Sequence, residues 1–181
     1  MTSLTHSLIL ACGLGIGATA VMDLWLMVLN RLGVTTLNFA FIGRWGGHLL
    51  RGQLRHAAIA RSHPIRGELA LGWLLHYATG IAFAALLLAF QGSAWAFEPT
   101  LLPALTMGLA TVIVPLFLIQ PAMGSGFAAR RTPTPLKNCL RSLANHGVFG
   151  LGLYLSAVAL ASWLKCTSHF LTHEKQLEST P

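Results

Sequence analysis

The chain has 181 residues, enough for one domain, and 54% of them are apolar while only 9% are charged, against about 25% charged in an ordinary soluble domain. So few charges cannot cover a water-exposed surface, whereas a lipid-facing surface needs none. The formal net charge is +7, but the basic residues sit between long apolar runs and not on one folded polar face, which argues against nucleic acid and for anionic lipid headgroups as the partner.

The first apolar stretch, residues 8–29, has the length of a membrane span, about 20 residues, and is interrupted only by Asp23. The preceding MTSLTHS holds no Lys or Arg and the apolar run continues well past Cys12, so a retained span is expected and not a cleaved signal peptide. Gly13 and Gly17 have the GxxxG spacing that suits close helix packing in lipid.

A long basic connection follows, with Arg31, Arg44, Arg51, Arg55, Arg61 and Arg66. At about 100° per residue, Arg44, His48, Arg51 and Arg55 fall in one arc and Ile42, Trp45, Leu49, Leu50 and Leu54 in the opposite one. That pattern predicts an amphipathic helix in the headgroup layer, with the four basic side chains on lipid headgroups. Gly43, Gly46, Gly47 and Gly52 oppose it, since each costs about 1 kcal/mol against Ala in a helix. An irregular basic loop is the alternative.

The second apolar stretch covers residues 69–90. The connection after it, QGSAWAFEPT, has no basic residue and contains Glu98. The third stretch, residues 101–119, carries no charge, and Pro115 should free the carbonyl of Thr111 and kink it. Arg130, Arg131, Lys137 and Arg141 precede the fourth stretch, residues 143–164. Residues 166–181 form a polar tail with Glu174, Lys175 and Glu178. Cys12, Cys139 and Cys166 are few, odd in number and far apart, and read as packing residues.

The fold class is therefore all-α: a four-transmembrane-helix bundle, polytopic, in one domain over residues 1–165. The loop arginines and lysines place the first and third connections in the cytoplasm, and the termini and second connection outside it. A bacterial inner membrane with periplasmic N- and C-termini is the expected location. Four short helices are also compatible with a homodimer.

Three residues inside the spans are costly in hydrocarbon: Asp23, His76 and His146. Each stands in a stripe of small or polar residues at i, i+4 spacing. These are Gly15–Thr19–Asp23, Gly72–His76–Gly80 and Ser142–His146–Gly150–Tyr154. Such stripes face other helices. The alternating orientation puts Asp23 and His76 at matching depth, about 10 Å inside the cytoplasmic boundary at 1.5 Å per residue. His146 and Gln120 lie in the same leaflet. One carboxylate with two imidazoles is a recognised divalent-metal set, two histidines on neighbouring helices suit a b-type haem, and an Asp–His pair can carry a proton. The alternative is that these groups only hydrogen-bond the helices together.

The strings GATAVMD, HPIRGELALGWLLHYATG, QPAMGSG and NHGVFGLGLY resemble the bacterial membrane family called domain of unknown function 2938, over roughly Gly13–Ala157. The resemblance implies a multi-pass membrane protein without an assigned activity. Asp23, Glu68, Trp73, His76, Tyr77, Gln120, Gly124 and His146 fall inside these strings.

Three functions are open at this point. The leading one is a small transporter or ion- or proton-handling protein using Asp23, His76 and His146, with Gln120, Tyr77 and Glu68 as further binding or relay candidates. The second is an accessory subunit whose polar layer only fixes helix packing. The third is a membrane enzyme on lipid or quinone, with His76 or His146 as base oriented by Asp23. No nucleophile motif accompanies them; Ser125 and Ser142 are merely near in sequence.

Overall fold

The computed structural model describes the backbone of residues 3–178 and the side chains of residues 4–167. Helix α1 runs Ser3–Arg31, α2 Phe39–Leu49, α3 Glu68–Gln91 and α4 Leu101–Thr111. A π-helical segment, Val114–Ile119, leads to the short α5, Gln120–Ala122, and α6 runs Pro135–Glu178. No strand occurs among the described residues. Four segments are long and apolar enough to cross a membrane: Leu4–Arg31, Glu68–Gln91, Leu101–Ala122 and Pro135–Thr167. The expected spans lie within them. The helical backbone of α6 continues into the polar tail, through residue 178. The side chains of Glu174, Lys175 and Glu178 lie outside the described residues.

Helix α1 is the hub, packed against both α3 and α6; α4 packs on α6 and touches α3 more lightly. The close crossings use glycine. A methyl on Gly108 would run into the backbone of Gly150, and one on Gly15 into the backbone of Ile81. Of the GxxxG pair, Gly13 has open space around it while a methyl on Gly17 would meet the Ser156 side chain of α6, so Gly17 and the intervening Gly15 form the helix contacts and Gly13 does not. The dry core lies toward the end away from the arginine-rich connections. Leu10, Leu14 and Ala18 meet Leu87 and Leu88, Trp95 and Ala96 of the short connection, Ala104, and Phe149, Leu153 and Ala157.

The third span is not a plain helix. Pro115 has no N–H to donate, so the α-helical ladder breaks after Thr111 and the backbone widens into the π turn. Past Ala122 the chain forms a strained turn in which Ala128 and Ala129 have φ of 49° and 59°. This turn is tied down by the Arg131 N–H on the Ser125 carbonyl at 2.9 Å and the Ser125 N–H on the Gln120 carbonyl at 2.8 Å. The two arginine-rich connections also bond each other, His56 N–H to the Ala122 carbonyl at 2.8 Å and Ile59 N–H to the Met123 carbonyl at 3.0 Å.

The first connection does contain a helix, but its orientation corrects the expectation. α2 lies across α3 with Gly43 and Gly72 at the crossing, where a methyl on either would strike the other helix's backbone. The glycines that weaken α2 as a free helix are thus what let it dock. Arg44 and His48 are buried, and Arg51 and Arg55 are exposed beyond the end of the helix.

Candidate functional site

Asp23 of α1 and His76 of α3 meet as their matched depths require. The His76 Nε2–H donates to Asp23 Oδ1 at 2.8 Å, and the Tyr77 hydroxyl donates to Oδ2 at 2.9 Å. Neighbouring residues on a helix diverge by about 100°, and Asp23 sits between the two so that each claims one oxygen. The side chains of His76 and Asp23 are 10% and 17% exposed, so this is a largely desolvated pair. Rings close over it: Phe39, at the start of α2, lies 4.5 Å from His76 and 4.3 Å from Trp73.

His146 of α6 takes a different partner. Its Nδ1 lies 2.9 Å from the Thr111 hydroxyl, which itself donates to the Gly108 carbonyl at 2.6 Å. A hydroxyl has one proton. With that proton on Gly108, Nδ1 must be the donor, and the lone pair of the neutral ring sits on Nε2.

Between these two histidines lies a cavity of about 530 Å³, within the size range of small-molecule sites. Its walls come from α1, α2, α3, the π segment, the Met123–Thr132 turn and α6. Most of the lining is apolar, including Met22, Leu26, Phe83, Ile119 and Phe149; His76, His146, Gln120, Asn145, Asn138 and Arg141 supply polar groups. The Gln120 Oε1 is buried without a hydrogen-bond partner. Asn145 accepts from Trp25 Nε1 at 3.0 Å, and Asn138 donates to the Thr132 hydroxyl at 2.8 Å.

Several expected site roles change. The divalent-metal set of Asp23, His76 and His146 is not assembled: no cluster of three His, Cys, Asp or Glu able to hold an ion occurs among the described residues. The reason is that both Asp23 oxygens are taken on α3 while His146 turns to Thr111 on α4. The haem reading asks His76 and His146 to serve one iron, and no ring contact joins them among the described residues.

Glu68 stands apart from the Asp23 layer. It forms a two-pronged ion pair with Arg44, Nε to Oε2 and Nη2 to Oε1, each at 2.8 Å. It also accepts the Ile65 N–H at 3.0 Å. The remaining guanidinium nitrogen bonds the carbonyls of Ile59, Ala60 and Ser62 at 3.1–3.3 Å. This carboxylate holds the Arg44 guanidinium above its ordinary range. Arg44 is therefore spent inside the protein and is not a headgroup contact.

The same holds for His48, whose Nε2 faces the His63 carbonyl at 3.0 Å and whose Nδ1 meets His56 Nε2 at 2.9 Å. Facing a carbonyl, His48 Nε2 carries a proton. Nδ1 also faces the side-chain amide oxygen of Gln53 at 3.1 Å, and His56 Nδ1 is buried without a hydrogen-bond partner among the described residues. Burial first, and the neighbouring His48 second, push the His56 pKa down.

Sequence reasoning missed the His48–His56 pair, because no spacing rule joins a helix to the loop beyond it. It also missed Asn138, Arg141 and Asn145. Their i, i+3, i+7 recurrence along α6 is a helical face beside the Ser142–His146 stripe, and was the available signal.

Four spanning helices, a desolvated acid–imidazole pair and an adjoining cavity define the chain as a polytopic helical-bundle membrane protein. A family described as "Protein of unknown function (DUF2938)" matches residues 12–160, and the chain belongs to that family. No curated protein and no solved structure matches the chain.

Proposed function

We propose that this protein is a small proton-coupled transporter of the bacterial inner membrane. The cavity holds the transported molecule and the Asp23–His76 pair carries the proton. The observation that carries this reading is the double role of His76, which bonds Asp23 through Nε2 and also forms part of the cavity wall. A change of charge on the pair is then felt directly by whatever occupies the cavity, because electrostatic interactions are strong in a dry site. Asp23 acts through His76 and is a positioning residue, with Tyr77 holding its second oxygen. His146 and Gln120, on the opposite wall, offer a lone pair and an unpaired carbonyl to the occupant. The arginine-rich connections give this end a cytoplasmic placement, with both termini periplasmic and the bundle of residues 1–165 as the transporting unit. Exposed Arg51 and Arg55 are left to meet anionic headgroups.

Vesicles loaded with a pH-sensitive dye test the proposal. After an imposed pH step, wild-type protein should speed internal pH relaxation at least about tenfold over empty vesicles, a barrier change of about 1.4 kcal/mol. Asp23→Asn should relax at the empty-vesicle rate while retaining its fold, since the amide oxygen still accepts from Tyr77. Wild-type relaxation equal to that of empty vesicles would sink the transporter reading. If Asp23→Asn fails to insert or assemble, the accessory-subunit reading takes its place.

A further inference from the structure

The cavity has a sign as well as a size. Its lining includes one arginine, two histidines and no carboxylate. That bias extends beyond the lining: residues 31–67 and 123–142, which make up this end of the protein, contain no Asp or Glu. The two acids nearest by, Asp23 and Glu68, are each bonded to a basic side chain. Among the described residues Arg141 has no carboxylate partner, and its one hydrogen bond there is a long 3.4 Å contact to the Thr35 carbonyl. Arg130, Arg131 and Lys137 flank the same end in exposed positions. A guanidinium bordering a cavity, with its charge unanswered by the protein, is complementary to an anion.

The apolar part of the lining lies deeper. Along α6, Asn138 and Arg141 come first, Asn145 and His146 one turn further, and Phe149 after them, about 12 Å from Arg141 at 1.5 Å per residue. Met22 and Phe83 complete that deeper wall. The walls also include residues of α3 and of the π segment. At about 530 Å³ the space takes one chain with a compact head and not a whole two-chain phospholipid.

We infer that the cavity binds a single-chain amphipathic anion drawn from the membrane, with its carboxylate or phosphate head at Arg141 and Asn138 and its chain among Met22, Phe83 and Phe149. This rests on the cavity being the ligand site of the transporter, and it names the class of that ligand. The polar head stays at the headgroup level while the tail remains in hydrocarbon, so neither is placed in the wrong solvent.

Titration of the full chain in neutral-lipid nanodiscs tests this, with Trp45 in the cavity wall as part of the fluorescence signal. Four probes of matched purity suffice: dodecyl phosphate, dodecanol, dodecyltrimethylammonium and inorganic phosphate. Dodecyl phosphate should bind saturably and at least about tenfold tighter than the alcohol or the cation, a discrimination of about 1.4 kcal/mol. Inorganic phosphate should neither bind nor compete. Arg141→Gln should bring dodecyl phosphate to the affinity of dodecanol, and Arg141→Lys should restore much of the difference. Because the Thr35 contact is the one hydrogen bond of Arg141 among the described residues, both variants should fold. Equal affinity for dodecyl phosphate and dodecanol overturns the anion preference and leaves the cavity as a ligand site. Competition by inorganic phosphate overturns the amphiphile. Unchanged binding by Arg141→Gln overturns the placement of the head, and no saturable binding by any chain overturns the inference whatever the proton assay gives.

Discussion

The Asp23–His76 and Arg44–Glu68 pairs share a separation of 2.8 Å but differ in what surrounds them. Arg44–Glu68 sits where α2 crosses α3, and nearly every polar atom of the pair has a fixed protein partner, three of them loop carbonyls. It fastens the first connection to the end of α3. Asp23–His76 joins two spanning helices and is held by one tyrosine, with an aromatic roof on one side and the cavity on the other. The lesson is that acid–base type and distance do not reveal a role. A pair whose hydrogen-bonding capacity is spent on backbone groups is structural, whereas one bordering an open volume has something left to respond to.

Exchanging the two lesions breaks or sharpens that comparison. The largest effect should come from Asp23→Asn, which removes at least about tenfold of proton movement and changes unfolding in mixed micelles little. Similar losses of activity from Asp23→Asn and Glu68→Gln would erase the distinction between the pairs. Arg44→Met should act in the opposite sense, leaving dodecyl phosphate binding unchanged while lowering stability by about 2 kcal/mol, because Glu68 and three carbonyls lose a charged donor. Mixed-micelle denaturation reads that change.

A smaller effect concerns pH. His56 is held neutral in the fold with its pKa lowered, chiefly by burial, so the unfolded chain takes up the proton first. Its contribution is present in full above the unfolded value of about 6.5 and is lost as pH falls below it. Amide hydrogen exchange across residues 53–62 should therefore be faster at pH 5.5 than at 7.5 after correction for intrinsic rates, and His56→Gln should flatten the difference. The smallest expected effect is a gain. Ala128 occupies the left-handed region, where an L-residue costs about 1–2 kcal/mol, so Ala128→Gly should stabilise the third connection by about 1 kcal/mol. No gain in thermal midpoint would mean that the turn's strain is relieved in another way.

The sequence by itself determined the four spans, because hydrocarbon tolerates so few charges that about 20 apolar residues in a row leave one solution. It also determined that Asp23 and His76 would face other helices, at one depth, since glycine at i±4 marks a packed face and helical rise converts sequence distance into depth. Gln120 could be placed in the same layer from its position at the end of the third span, whereas Tyr77 stood out in the sequence only as a member of a family-like string. What tertiary structure alone decided was direction and partnership in the connections. The arc of Arg44, His48, Arg51 and Arg55 had the periodicity of a lipid-facing surface, and nothing local says whether such an arc meets headgroups or a carboxylate 24 positions along the chain. The choice was made by Gly43 meeting Gly72, an approach between two backbones that a one-dimensional pattern does not encode. The cavity, with Arg141 at its border, likewise exists only where α1, α2, α3, the π segment and α6 come together, a property of the whole bundle and of no single helix.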